Sequence, residues 1–451
     1  MRKECDLTME RRKFLGAMAA ASAFTIVPRR VLGGPGYQAP SDTLNIACVG
    51  VGGMGQNNVN EMATENIVAL CDVDWNFAAP VFEKYPKAKR FKDYRAMFDE
   101  CKEIDAVIIA TPDHTHAIIT LAAMELGKHV YTQKPLTHTV AEARQLAEAA
   151  AKNPKLVTQM GNQGHSGEEI RLECEWIQDG AIGPVREVHV WTDRPVWPQG
   201  IYERPAEMEI PSGLDWDLWI GPERFRPYNK IYHPFNWRGW WDFGTGALGD
   251  MGCHMIDHPY TALKLKYPKS VTASYAMDFK DDNIWEKRPL SETFPRASIV
   301  TYYFPERDGM PPVKLIWYDG GLQPPRPEEL EPNRRMPING QLYVGEKGNL
   351  LSGDGMTRLI PESAMRAYKV PPKTIPRIEG SHEQNFIKAI KEGKPASAPF
   401  SYAGPLTETV LLGNIALKFP YQSLEYDPEA MVVKGNDEAT AMLRSDYRKG
   451  W

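Results

Sequence analysis

Four short stretches hold residue types whose spacing could do chemistry. The first is Gly50-Val51-Gly52-Gly53-Met54-Gly55, which follows the apolar run NIACV and precedes a helix-like stretch. In that setting Gly50 permits the tight turn, Gly52 lets the backbone approach a pyrophosphate, and Gly55 lets helix and strand pack closely. The phosphates would then lie at the N-terminus of the helix, beside Gly53 and Met54, where unpaired N–H groups point outward. Asp72 closes the next apolar run, 22 residues after Gly50, where an acidic side chain can receive a ribose 2′-hydroxyl. No Lys or Arg lies between Asn66 and Glu83 to accept a 2′-phosphate, so the pattern predicts NAD rather than NADP.

The second stretch, Thr111-Pro112-Asp113-His114-Thr115-His116, follows the strand-like AVIIA. The third, Thr132-Gln133-Lys134-Pro135, follows HVY. Both would sit at the carboxyl edge of a parallel sheet, where ligands bind. Asp113 or Thr115 can equally cap the next helix. A lysine beside a nicotinamide could orient a substrate hydroxyl or tune its acidity, whereas a Lys before Pro taken alone is usually a solvated loop residue.

The fourth stretch, Gly249 to Asp257, places Asp250 and His254 four residues apart on one helix face. The carboxylate could fix the imidazole tautomer, and a histidine with an ordinary pKa near ~6.5 suits removal of a hydroxyl proton. His254 and His258 are also four apart and, with Asp250 or Asp257, could ligate a metal. No further cluster at ligand spacing supports that, so no metal is expected. A helix N-terminus with a merely hydrogen-bonded histidine is the plainest alternative.

Just before this stretch lies Tyr232-His233-Pro234-Phe235-Asn236-Trp237-Arg238-Gly239-Trp240-Trp241-Asp242, and seven of the 12 Trp fall between Trp191 and Trp241. Indole faces suit the apolar faces of sugar rings, making Trp237, Arg238, Trp240, Trp241 and Asp242 substrate-binding candidates. Such a cluster can equally be core or subunit interface. His165, where two domains should meet, is a candidate substrate residue and second acid/base.

These residues need elements to position them. Strands are expected at Asn45–Val49, Ile67–Cys71, Ala106–Ala110, His129–Thr132 and Leu156–Met160, with helices over 54–63, 75–85, 114–127 and 139–152. Strand–helix alternation implies right-handed crossovers and a parallel sheet. After residue 165, alternating runs at Val185–Thr192, Ser270–Met277, Ala297–Phe304 and Pro312–Tyr318 predict an open, mostly antiparallel sheet. Helices follow at His382–Glu392 and Leu406–Lys418. The fold class is α/β: a Rossmann domain over 43–162, then an α+β domain over 163–451 whose final segment could pack back on the first.

A chain of 451 residues with 42% apolar residues and a net charge of −5 can bury a large core, and nothing in its charge points to nucleic acid or anionic lipid. Six Cys without C-x-x-C pairing give no disulfide framework. Residues 1–42 read as an export signal and linker. Arg11-Arg12-Lys13 opens an uncharged run from Phe14 to Val27, too short for a stable membrane anchor. The paired arginines before Phe-Leu resemble a twin-arginine signal, with an ordinary Sec signal or an amphipathic tail as the alternative, and predict a periplasmic or otherwise exported protein.

The four motifs together resemble the Gfo/Idh/MocA family of NAD(P)-dependent, mostly sugar-acting oxidoreductases. The resemblance implies Lys134, Asp250 and His254 as the catalytic set, His254 as acid/base, and a homodimer or homotetramer. It also implies that Gly50, Gly52, Gly53, Met54, Gly55, Asp72, Thr111, Pro112, His116, Gln133 and Lys134 hold the cofactor. Gln133 stands where the family commonly has Glu, so Lys134 lacks one negative neighbour. Free NAD is scarce outside the cytoplasm, so an exported enzyme is expected to hold it tightly. The expected activity is oxidation of a sugar or glycoside hydroxyl. A redox-neutral hydrolase, lyase or epimerase passing through a keto-sugar, and a non-catalytic sugar-binding protein, are the alternatives.

Overall fold

Apolar runs buried on both faces, alternating with amphipathic stretches, are what a parallel sheet between two helix layers demands. Residues 45–161 build one. The structure, a computed structural model, describes residues 42–451, of which Asn45–Trp451 form one compact unit. The expected export signal lies outside the described residues. Strands β1 (Asn45–Val49), β2 (Asn66–Cys71), β3 (Lys89–Phe91), β4 (Ala106–Ile109), β5 (His129–Gln133) and β6 (Thr158–Gly161) pair in the order 3-2-1-4-5-6. All neighbours are parallel. The order reverses between β1 and β4, and the crevice at their carboxyl ends is where such sheets take ligands.

The helices of this layer are α1 (Met54–Glu61), α2 (Ala79–Lys84), α3 (Tyr94–Glu100), α4 (Asp113–Glu125) and α5 (Val140–Lys152). The Ala-rich α5 starts with a capping box, Thr139 and Glu142 each satisfying the other's backbone N–H. β3 and α3 are additions to the expected elements. β3 is the three-residue, two-charge segment KRF, which carries no alternation to read, and α3 is a short helix capped by Asp93.

The second part contributes α6 (Glu168–Gln178), α7 (Trp216–Ile220), α8 (Gly246–Met255), α9 (Asp257–Ala262), α10 (Glu362–Ala367), α11 (His382–Glu392), α12 (Phe400–Lys418) and α13 (Asp437–Ala441). Its strands are β7 (Val185–Trp191), β8 (Ser270–Tyr275), β9 (Ser298–Phe304), β10 (Val313–Tyr318), β11 (Gly340–Gly345), β12 (Gly348–Gly353), β13 (Met356–Ile360), β14 (Leu424–Asp427) and β15 (Val432–Val433). They run in the order 13-12-11-7-10-9-8-14-15, with only the β7–β10 pair parallel. β11 to β15 went unread because they are short or bounded by glycine, with little alternation.

α12 begins at Phe400 rather than Leu406: Pro405, a helix-start signal in sequence, lies inside it. This helix packs on α5. Arg144 reaches Glu408 through Nε and Nη2 at 2.8 and 2.7 Å, and a Cβ at Gly404 would press on Ala147. Among the described residues, no helix is long and apolar enough to cross a membrane.

Candidate active site

A cavity of about 580 Å³ opens at the carboxyl ends of β1, β4 and β5. On one side is the glycine loop. Gly50 has φ +75°, and a Cβ there would stand 2.7 Å from the Ala110 carbonyl oxygen. A Cβ at Gly55 would fall on the Gly50 carbonyl, so this glycine sets helix–strand packing, and Gly55 does not itself line the cavity. Gly52, Gly53 and Met54 line it, and the Phe77 ring lies where a Gly52 side chain would be. Asp72 Oδ2 accepts from the N–H groups of Val51 and Gly52 at 2.8 and 3.2 Å, and Oδ1 from Asp74 at 2.9 Å. Burial pushes the Asp72 pKa up, and those three bonds pull against it. A backbone cradle that side chains would fill, beside a buried carboxylate, fits a dinucleotide: the start of α1 at Gly53 and Met54 for phosphate, Asp72 for ribose.

Thr111 and Pro112 line the cavity from the β4 side, Gln133 and Lys134 from β5. His116 does not line it. Its ring nitrogens lie 2.8 Å from the carbonyl oxygens of Pro135 and Thr111, so its expected cofactor contact gives way to tying two cavity loops together. Gln133 Nε2 donates to Asn58 Oδ1 at 3.0 Å, and Asn58 and Tyr131 each donate to buried Glu383 at 2.9 Å. A carboxylate on α11 thus anchors the segment whose own position 133 lacks one.

At the β5 side of the cavity, Lys134 Nζ donates to Asp250 Oδ1 at 2.7 Å and to the Asp250 carbonyl at 2.8 Å. Arg238 Nε donates to the same Oδ1 at 3.1 Å. Burial alone would raise the Asp250 pKa, but Lys134 and Arg238 outweigh it and bring it down to about 2. Asp250 therefore serves the two cations and does not fix the His254 tautomer. His254 lines the cavity, and its ring makes no hydrogen bond among the described residues. Burial, reinforced by the Lys134 charge, lowers its pKa to about 3 rather than leaving it ordinary, so at neutral pH it is an unprotonated base. Asp113 lines the same wall, accepts from Thr245 Oγ1 at 2.7 Å and is raised by burial to about 6.

The aromatic candidates divide. Trp237 and Arg238 line the cavity, the guanidinium 4.3 Å from the Trp237 ring centre and 4.5 Å from that of Phe235. Trp240 is fully buried in a cluster with Trp216, Tyr232 and Phe243, which corrects its expected substrate role. Trp241 donates to the Thr293 carbonyl at 2.9 Å under the Lys418 ammonium, and Asp242 pairs with Arg226; neither reaches the cavity. His165 is likewise removed from it, its Nδ1 2.9 Å from Asp257 Oδ1. The expectation gave these residues chemistry that packing has taken.

Phe77, Arg194, Trp197, Trp219 and Trp451 line the cavity without having been singled out. Trp197 and Trp219 belonged to the tryptophan-dense stretch, whereas nothing local marks Phe77, Arg194 or Trp451. His258 Nδ1 lies 2.8 Å from Glu173 Oε1, apart from His254. Among the described residues, no group of three His, Cys, Asp or Glu could hold a metal.

Residues 44–160 match the family model for the oxidoreductase family NAD-binding Rossmann fold, and residues 193–282 that for the oxidoreductase family C-terminal alpha/beta domain. Inositol 2-dehydrogenase of Salmonella paratyphi B is 32% identical over 203 residues, 43% of this chain and 58% of that protein. Levoglucosan dehydrogenase of Pseudarthrobacter phenanthrenivorans is 27% identical over 42% of this chain and 40% of that protein. The chain thus spans well under two thirds of the length of these curated relatives. The crystal structure of the WlbA dehydrogenase from Bordetella pertussis, in complex with NADH and UDP-GlcNAcA, superposes with a TM-score of 0.57 at 15% identity, over 85% of this chain and 99% of that one. At that identity the likeness is one of fold. With a glycine cradle for the dinucleotide, the chain carries both domains of the Gfo/Idh/MocA oxidoreductase family in order, the first being its NAD-binding Rossmann fold.

Proposed function

We propose that the protein oxidises a hydroxyl of a sugar or glycoside, with Lys134, Asp250 and His254 as its catalytic set and a tightly held NAD. The observation that carries this is the convergence of Lys134, Arg238, Asp250 and neutral His254 on the cavity that the glycine loop also lines. Bound NAD would supply the hydride acceptor. A ring nitrogen of His254, without a hydrogen-bond partner among the described residues, takes the hydroxyl proton. Lys134 Nζ, a donor with no acceptor capacity, holds the substrate oxygen as its charge develops, and Asp250 keeps that amine in place. Trp197 and Trp237 offer flat apolar walls for a sugar ring, and the relatives named for inositol and levoglucosan support a polyol or carbohydrate.

Export by a twin-arginine signal, assembly as a homodimer or homotetramer, and a domain division near residue 162 belong to the same proposal. They rest on Arg11 to Val27, on the open nine-stranded sheet, and on the end of β6. The test is to purify the folded protein, denature it and look for released NAD, then to screen carbohydrates while following both bound NADH and product. NAD on the protein and NADH formed with one sugar class are expected. A protein that neither carries nor binds NAD overturns the proposal, and sugar released from a glycoside without net NADH replaces it with redox-neutral cleavage.

A further inference from the structure

The cavity does not end at Asp72. It extends along Lys92 and Tyr94, which follow β3 and lie opposite in strand order to Lys134 at the end of β5, and along Thr115 and Ile118 of α4. With the Asp72 carboxylate placed for the ribose nearest the adenine, this is the adenosine end of a bound dinucleotide. The wall here is completed by Trp451, which comes from far outside the Rossmann sheet.

Trp451 is held from several directions. The Arg95 guanidinium, itself forked onto Asp93, lies 4.4 Å from the indole centre. Arg448 donates Nε to the Gly221 carbonyl at 2.6 Å, Nη1 to Asp217 Oδ1 at 2.6 Å and its backbone N–H to Pro222 at 2.8 Å. Tyr447 donates to Glu142 Oε1 at 2.6 Å, and the Leu443 carbonyl accepts from Ala141 at 2.9 Å. Residues 443–451 are therefore a strap laid from α5 to α7 and on to α3, with one aromatic side chain ending on the cavity.

We propose that Trp451 is a cofactor-binding residue, forming the aromatic wall of the adenine compartment, and that the strap over 443–451 must lift before the dinucleotide can exchange. This rests on the reading of a tightly held NAD and gives it a physical cause. An aromatic wall accepts any base through its π face, and its removal typically weakens binding roughly tenfold to a hundredfold.

The test measures NAD retained on purified protein after repeated desalting, and the affinities for ADP and for nicotinamide mononucleotide by calorimetry. Trp451→Ala is expected to release NAD roughly tenfold or more faster and to lose ADP affinity by a similar factor, with mononucleotide affinity unchanged. Arg448→Ala, which loosens the strap without touching the cavity, should shift NAD release in the same direction by less. It also carries the test if Trp451→Ala fails to fold. Retention and ADP affinity equal to wild type in the folded variants overturn the strap alone. A wild-type protein that binds neither NAD nor ADP overturns instead the reading on which it rests.

Discussion

The ring of His254, near the end of α8, makes no hydrogen bond among the described residues and is pushed down to about 3, whereas His258, four residues on in α9, holds Glu173 and is pushed up to about 9. Burial works against the charged form in both. At His254 the nearby Lys134 adds to it, while at His258 the Glu173 carboxylate outweighs it. Glu173 also takes the Tyr343 hydroxyl and Ser352 Oγ, so the His258 pair fastens α9 and α6 to β11 and β12. One histidine has no hydrogen-bond partner among the described residues and stays unprotonated beside a cation; the next is given a partner and becomes a buttress. What separates them is which neighbour the tertiary fold supplies, since both are histidines in the same short stretch.

The sharpest way to break this contrast is at His254. His254→Ala should lower kcat on the identified sugar by about 10²–10⁴, the ordinary worth of a general base, while leaving NAD retention unchanged. A loss under tenfold would remove His254 from the chemistry. Next in size, Glu173→Ala should destabilise the fold by about 3–5 kcal/mol in chemical denaturation, because it removes the buried acceptor shared by His258, Tyr343 and Ser352, while kcat per folded molecule holds. A cost below about 1 kcal/mol would mean that Glu173 and its partners are not a buried buttress.

The smallest effect is the one pH reveals. His258 binds its proton more tightly folded, at about 9, than in the unfolded chain at about 6.5, so its contribution is fully present below pH ~6.5 and is lost as pH rises through about 9. The stability gap between wild type and His258→Gln, at most about 3 kcal/mol, should therefore narrow from pH 6 to 10. A gap that stays constant would mean that the pair is not ionic.

Much was legible from local pattern. The glycine run, the strand before it and Asp72 lie within one strand–helix–strand segment, so their chemistry follows from spacing along a chain that has few ways to turn there. The same held for Lys134, placed by the strand it ends. The aromatic run from Tyr232 to Asp242 resisted, because a cluster of tryptophans reads alike whether it faces a ligand or its own neighbours. Trp237 and Trp240, three residues apart on one short turn, went to the cavity and to the core respectively.

By itself, then, the sequence determined the Rossmann half of the fold, the preference for NAD and the identity of the residues around which chemistry could be arranged, since these rest on short-range backbone geometry. The tertiary structure alone decided that Asp250 holds Lys134 and Arg238 instead of His254, that His165 and Asp242 are structural, and that Trp451 walls the cofactor cleft. Those outcomes depend on contacts between residues tens to hundreds of positions apart, and on burial, which sets protonation only once the whole chain has closed around the group.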